Sequence, residues 1–188
     1  MTRDLHQLPP NLPAPADDGA CDHLPGAQVP SVRLQSTAGR WVDLAEIAAR
    51  PAVFFVYPRT GEPGRAAGPE WDAIPGARGC TPQSCGFRDH FAELGALGVA
   101  QLYGLSTQTP DDQREVAQRL HLPFTLLSDA QLELQRALNL PTFAVDGMTL
   151  LKRLTLVLDD GTITKVFYPV FPPDKSAAEV IAWLRAAG

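Results

Sequence analysis

The chain has 188 residues and a mass of 20.3 kDa, with 45% hydrophobic content, enough to bury one sizeable core and too little for two full domains with a linker. A net charge of -5 and a pI near 5.3 leave no cationic surplus to neutralise phosphates or anionic lipid, which argues against nucleic acid and membrane surfaces as partners. No apolar run approaches the roughly 18 to 20 residues that cross a bilayer, and the stretch from Met1 to Gln7 holds no apolar signal core, so the expected location is the cytoplasm.

The first thirty residues carry prolines at 9, 10, 13, 15, 25 and 30 and few large apolar side chains, a composition that does not repay its own ordering entropy. Residues 1–25 are therefore expected to form a draped or mobile arm on a domain of residues 26–188. Val32 to Leu34 and Trp41 to Leu44, separated by the turn at Thr37 to Arg40, predict a small hairpin followed by a short helix to Ala49. Ala52 to Tyr57 is a continuous apolar run between Pro51 and Pro58, as in a strand buried on both faces. Residues 59–79 show no period and are expected to be one long loop.

Thr81-Pro82 predicts a helix cap and a first-turn proline, with Phe87, Phe91 and Leu94 then recurring at helical spacing for about four turns up to Gly95. A strand over Val99 to Leu105 leads to Thr109, which caps a helix with Asp111 and Asp112 at the positive end of its dipole. Pro123 to Leu127 predicts a strand and Asp129 a helix cap. Arg153 to Leu158, the turn Asp159-Asp160-Gly161 and Thr162 to Tyr168 predict a hairpin, and a last helix follows Asp174. Helices alternating with strands, closed by a hairpin, give an α/β fold with a central mixed sheet.

Three cysteines make no disulfide framework. Cys80 falls at a helix N-terminus, where unpaired N–H groups and the dipole favour a thiolate, with Arg78 close by. Cys85 follows five residues later, which places the two Cα atoms about 8.6 Å apart on an intact helix, beyond the roughly 7 Å a disulfide spans. A bond between them requires the first turns to unwind. The same pair also fits a buried residue and a bystander, and with His90 it fits, far less well, three zinc ligands lacking a fourth. Cys21 lies in the arm and is expected to be an inert, mobile thiol.

Tyr57-Pro58, Gly79-Cys80-Thr81, Cys85-Gly86-Phe87-Arg88-Asp89, Gly104 to Thr107, Phe124 to Asp129 and Arg153 to Asp159 together resemble the peroxiredoxins, in their bacterioferritin comigratory protein or PrxQ branch. The resemblance runs from Gly26 to the last helix. It implies a thioredoxin fold and a thiol peroxidase for hydrogen peroxide and organic hydroperoxides. Cys80 would be peroxidatic, Cys85 the resolving cysteine in the same helix, and Arg153 the arginine that holds thiolate and peroxide. It further implies a thioredoxin-like reductant, no cofactor, and a monomer or weak dimer.

The sequence departs from the family's Pro-x-x-x-Thr-x-x-Cys pattern: Ala77 and Ala73 stand at the threonine and proline positions. Pro58 is expected to shield the thiol in place of the usual proline, and Thr60 to supply the hydroxyl. Trp71 either covers the thiol or anchors the loop. The rival from another class is a non-catalytic redox switch built on the same cysteine pair, and a disulfide reductase is disfavoured because no Cys-x-x-Cys pair is present.

Overall fold

The apolar run after Pro51 forms β3 (Ala52–Val56), buried along its whole length. Its side chains alternate between two cores: Phe54 and Val56 enter one, and Val53, Phe55 and Tyr57 the other. A strand sandwiched in this way must be central, and in the computed structural model, which describes residues 7–61 and 69–187, it is the fifth of seven strands.

Before it come β1 (Arg33–Ser36), β2 (Trp41–Asp43) and α1 (Leu44–Ala48). After it come α2 (Pro69–Ala73), α3 (Cys80–Asp89), α4 (Phe91–Ala96), β4 (Gln101–Ser106), α5 (Pro110–Arg119), β5 (Thr125–Ser128) and α6 (Glu133–Leu138). A hairpin of β6 (Thr142–Val145) and β7 (Met148–Leu151) precedes β8 (Leu154–Asp159), β9 (Thr162–Phe167) and α7 (Ser176–Ala187). The strand order is β2-β1-β5-β4-β3-β8-β9, with β6 and β7 forming a separate two-stranded sheet. Strand β3 runs parallel to β4 and antiparallel to β8, so the sheet is mixed. The sheet flanked by helices is a thioredoxin-like fold.

Thr109 caps α5 by accepting from Asp112 N at 3.2 Å, and Asp160 and Gly161, both at positive φ, turn β8 into β9, as the sequence predicts. Four expectations change. The helix expected from Thr81 through Gly95 is two helices, because the backbone leaves the helical region at His90 (φ -100°, ψ 9°). Its cap is Gly79, two residues earlier than Thr81; φ of +105° there requires glycine, and a Cβ would run into the Pro173 ring and come within 2.9 Å of Leu8. The 59–79 loop contains the short helix α2, while residues 62–68 lie outside the described residues.

The fourth change concerns the arm. Cys21 and Leu24 are buried in the core beneath α1 and α6, fixed by turns in which Asp22 N donates to Gly19 O and Leu24 N to Cys21 O. Asp18 anchors the arm, accepting from Lys152 Nζ at 2.6 Å and from Tyr168 Oη at 2.8 Å. Two large apolar contacts and these bonds fix a segment whose prolines have little freedom to lose.

Candidate active site

Helix α3 starts at the C-terminal end of β3 and is held there by aromatic stacking: the Phe87 ring lies 4.4 Å from Phe55, with planes 10° apart. Its first residue is Cys80, 4% exposed. The first intrahelical bond is Gln83 N to Gly79 O at 3.0 Å, so Pro82 occupies a position where no N–H is needed.

Arg153 joins β7 to β8 and is buried. Its Nη2 donates to Cys80 Sγ at 3.2 Å and to the carbonyl oxygens of Ala77 and Arg78, each at 3.2 Å. Its Nη1 donates to Gln83 Oε1. The planar fork thus binds both the turn before the helix and the helix itself, a geometry open to arginine and closed to lysine. The thiol hydrogen of Cys80 points to Ala77 O at 3.6 Å. Among the described residues, these are the polar partners of Cys80.

Behind the guanidinium, Gln83 Nε2 donates to Ser176 Oγ at 3.4 Å, and Ser176 Oγ lies 3.2 Å from Thr155 Oγ1. These hydroxyls orient the amide so that its oxygen faces Arg153. The sequence could have shown Gln83, three residues after Cys80 and therefore on the same helical face. Thr155 and Ser176 carry no such signal, since they meet the site only through the fold.

Pro58 and Thr60 follow β3 and are both buried. Thr60 donates to Gln108 Oε1 from both N and Oγ1, each at 2.9 Å, and Ser128 Oγ holds Gln108 O at 2.6 Å. The structure therefore brings Cys80 and Arg153 together, and sets Thr60 against Gln108. Trp71 packs on Phe143 of β6, with centroids 6.3 Å apart, which anchors α2 to the β6–β7 hairpin. His90 Nδ1 lies 2.9 Å from Glu93 Oε2.

Cys85 is half-buried on α3, five residues beyond Cys80 in one unbroken helix, and the two are not in a disulfide. Burial raises the Cys85 thiol above the ordinary range, with Arg88 opposing. Burial also holds the Tyr57 phenol well above its usual range. Cys21 is pushed up to about 12, mainly by burial and then by Asp18, Asp17 and Asp22.

A thiol at a helix N-terminus, gripped by a buried arginine that leads into β8 of a thioredoxin-like sheet, defines a protein of thiol redox chemistry. A family model described as Redoxin matches residues 24–181. Peroxiredoxin Q, chloroplastic, of Gentiana triflora is 31% identical over 163 residues, 86% of this chain and 67% of that protein. The Oryza sativa subsp. japonica peroxiredoxin Q, also named chloroplastic, is 30% identical over 86% of this chain and 66% of its own length. The match thus spans about two thirds of the curated relatives. Among solved structures, peroxidoxin BcpB from Mycobacterium tuberculosis superposes with a TM-score of 0.70 at 27% identity, covering 88% of this chain and 98% of that one. A PrxQ mutant from Xylella fastidiosa reaches 0.69 over 86% of this chain and 95% of its own, and at 16% identity it supports the fold alone. The chain belongs to the Redoxin family, and within it to the peroxiredoxins of the PrxQ and bacterioferritin comigratory protein branch, which are thiol peroxidases. Among the described residues no helix is long and apolar enough to cross a membrane.

Proposed function

We propose that this peroxiredoxin reduces hydrogen peroxide and organic hydroperoxides through Cys80. The observation that carries the reading is the 3.2 Å contact between Arg153 Nη2 and Cys80 Sγ at the start of α3. The Cys80 thiolate attacks the terminal peroxide oxygen. The S–O bond forms as the O–O bond breaks, and the departing hydroxide or alkoxide takes up a proton to leave as water or alcohol. The Arg153 guanidinium, donating to Cys80 Sγ, lies where negative charge develops.

Cys85 then attacks the sulfenic sulfur, forming the Cys80–Cys85 disulfide and releasing water. The first turns of α3 unwind for this step, which brings the sulfurs within bonding reach and relieves the burial that opposes ionisation of Cys85. A thioredoxin-like dithiol restores both thiols by exchange, becoming the disulfide itself. Pro58 walls the site. Thr60 supplies a hydroxyl whose hydrogen turns from Gln108 Oε1 to a peroxide oxygen by rotation about one bond. The protein works in the cytoplasm as a monomer or weak dimer, with the thiols as its redox group.

Peroxide consumption coupled to a thioredoxin system tests the assignment. Cys80→Ser abolishes turnover, Cys85→Ser supports a single turnover ending at the sulfenic acid, and Thr60→Val is slowed about a hundredfold. Undiminished turnover in Cys80→Ser would remove Cys80 from the reaction.

A further inference from the structure

The N-terminal arm crosses the turn that carries the reactive thiol. It is anchored at Asp18, which Lys152 and Tyr168 hold, and at Cys21 and Leu24 in the core. Ahead of that anchor, residues 7–17 form no helix or strand, yet Leu8, Leu12, Pro13 and Pro15 are half-buried. Two glycines show what this segment lies on. A Cβ built on Gly79 would come within 2.9 Å of Leu8 Cδ2 and run into the Pro173 ring, and one built on Gly76 would come within 3.4 Å of Pro15 Cγ. Leu8 and Pro15 therefore rest on the backbone of the Gly76 to Gly79 turn.

That turn makes the bonds that define the thiol site. Ala77 O accepts from Arg153 Nη2 and from the Cys80 thiol, Arg78 O accepts from Arg153 Nη2, and Gly79 O accepts from Gln83 N at 3.0 Å. The last of these cannot survive the second chemical step. Cys85 attacks the sulfenic sulfur, the S–S bond forms, the S–O bond breaks, and the hydroxyl leaves as water with the Cys85 proton. Five residues apart on an intact helix, the two Cα atoms stand about 8.6 Å apart against a reach of roughly 7 Å, so the first turn opens and Gly79 shifts. Hemmed by Leu8 and Pro173, Gly79 cannot shift without parting from one of them. Pro173 leads directly into α7, which is buried through Ala177, Val180 and Ile181. Leu8 lies far ahead of the Asp18 anchor, in a segment without secondary structure, and is the one that yields.

We propose that residues 8–15 are a redox-released strap, closed on the Gly76 to Gly79 turn while Cys80 is a thiol and freed when the Cys80–Cys85 disulfide forms. The inference rests on the reaction proposed above and adds a conformational output to it. Because the strap covers only the wound form of α3, the coupling is reciprocal: unwinding frees the strap, and loosening the strap eases unwinding. Reduction of the disulfide by a dithiol rewinds the helix and closes the strap again.

The test uses the full chain with methyl-labelled leucine. In the thiol form the Leu8 methyls show an NOE to Gly79 Hα; in the disulfide form, made with one equivalent of hydrogen peroxide, that NOE is lost and their shifts move to those of unstructured leucine. Stopped flow supplies the rates. Leu8→Ala forms the disulfide about fivefold faster, the equivalent of losing part of a leucine's burial, while its second-order rate constant for hydrogen peroxide stays within about twofold of the parent. Leu8→Met restores the parent rate of disulfide formation. A disulfide form that keeps the Leu8 to Gly79 NOE, or a Leu8→Ala variant that forms the disulfide at the parent rate, overturns the inference and leaves the peroxidase reaction standing. Equal changes in both steps of Leu8→Ala, the mark of a generally loosened site, overturn it as well. Absence of any Cys80 to Cys85 disulfide in the parent after peroxide overturns the reaction itself, and this inference with it.

Discussion

Arg153→Met isolates the electrostatic part of the proposed chemistry. Methionine keeps much of the buried volume and removes the donors to Cys80 Sγ, Ala77 O, Arg78 O and Gln83 Oε1. A unit positive charge 3.2 Å from a thiolate is worth about 5 kcal/mol at an effective dielectric constant of about 20. Desolvation of the two groups takes back part of this, and the remainder compares with loss of one oxyanion-hole donor, roughly 100- to 1000-fold in rate. The assay is the second-order rate constant for hydrogen peroxide with reduced protein, followed by intrinsic fluorescence in a stopped-flow instrument. Circular dichroism checks the fold, since the orphaned carbonyls also cost about 1–3 kcal/mol of stability. Arg153→Lys recovers the charge without the fork and falls between parent and Arg153→Met. Parent-like rates in a natively folded Arg153→Met would refute the role given to the guanidinium.

Gly79→Ala meets the Pro173 ring and Leu8 at a positive φ, so it should lose about 2 kcal/mol and lower Tm by about 4–8 °C in thermal melts. It should also slow the peroxide reaction by displacing the first turn of α3. Phe87→Ala removes the stack on Phe55 and should cost about 3–5 kcal/mol in a urea titration. Hydrogen bonds from Lys152 and Tyr168 lower the Asp18 carboxyl from 3.8 to about 2, a depressed acid whose stabilisation is full above its ordinary value and is lost as pH falls through the folded one. The Tm difference between the parent and Asp18→Asn should therefore be constant from pH 7 to about 4 and shrink between pH 4 and 2. Cys21, buried and pushed up to about 12, should resist iodoacetamide at pH 8 in the native protein and be alkylated on unfolding.

The parts legible in the sequence are those that local chemistry dictates. Strand β3 is an apolar run between prolines, the β8–β9 turn is an Asp-Gly pair between alternating strands, and Thr109 is a cap followed by acids. The β6–β7 hairpin carries the same kind of Asp146-Gly147 turn, yet its strands lie outside the main sheet and are mostly half-exposed, so alternation toward a core is weak. Gly79 takes precedence over Thr81 as the cap because the close approach of Pro173 and Leu8 decides the path of the chain there, and both are distant in sequence. The thiol and its arginine were legible through the resemblance, whereas Ser176, Thr155 and Gln108 enter by tertiary packing alone. The burial of Cys21 was hidden by the proline content around it: a single apolar turn does not shift composition, although it suffices to dock a constrained arm.

The most direct test of the central claim reacts the fully reduced protein with one equivalent of hydrogen peroxide in a stopped-flow instrument and maps the product by non-reducing peptide mass spectrometry. The account predicts a rate constant orders of magnitude above that of free cysteine and a single Cys80 to Cys85 link. A rate near that of free cysteine, or a link through Cys21, would contradict it.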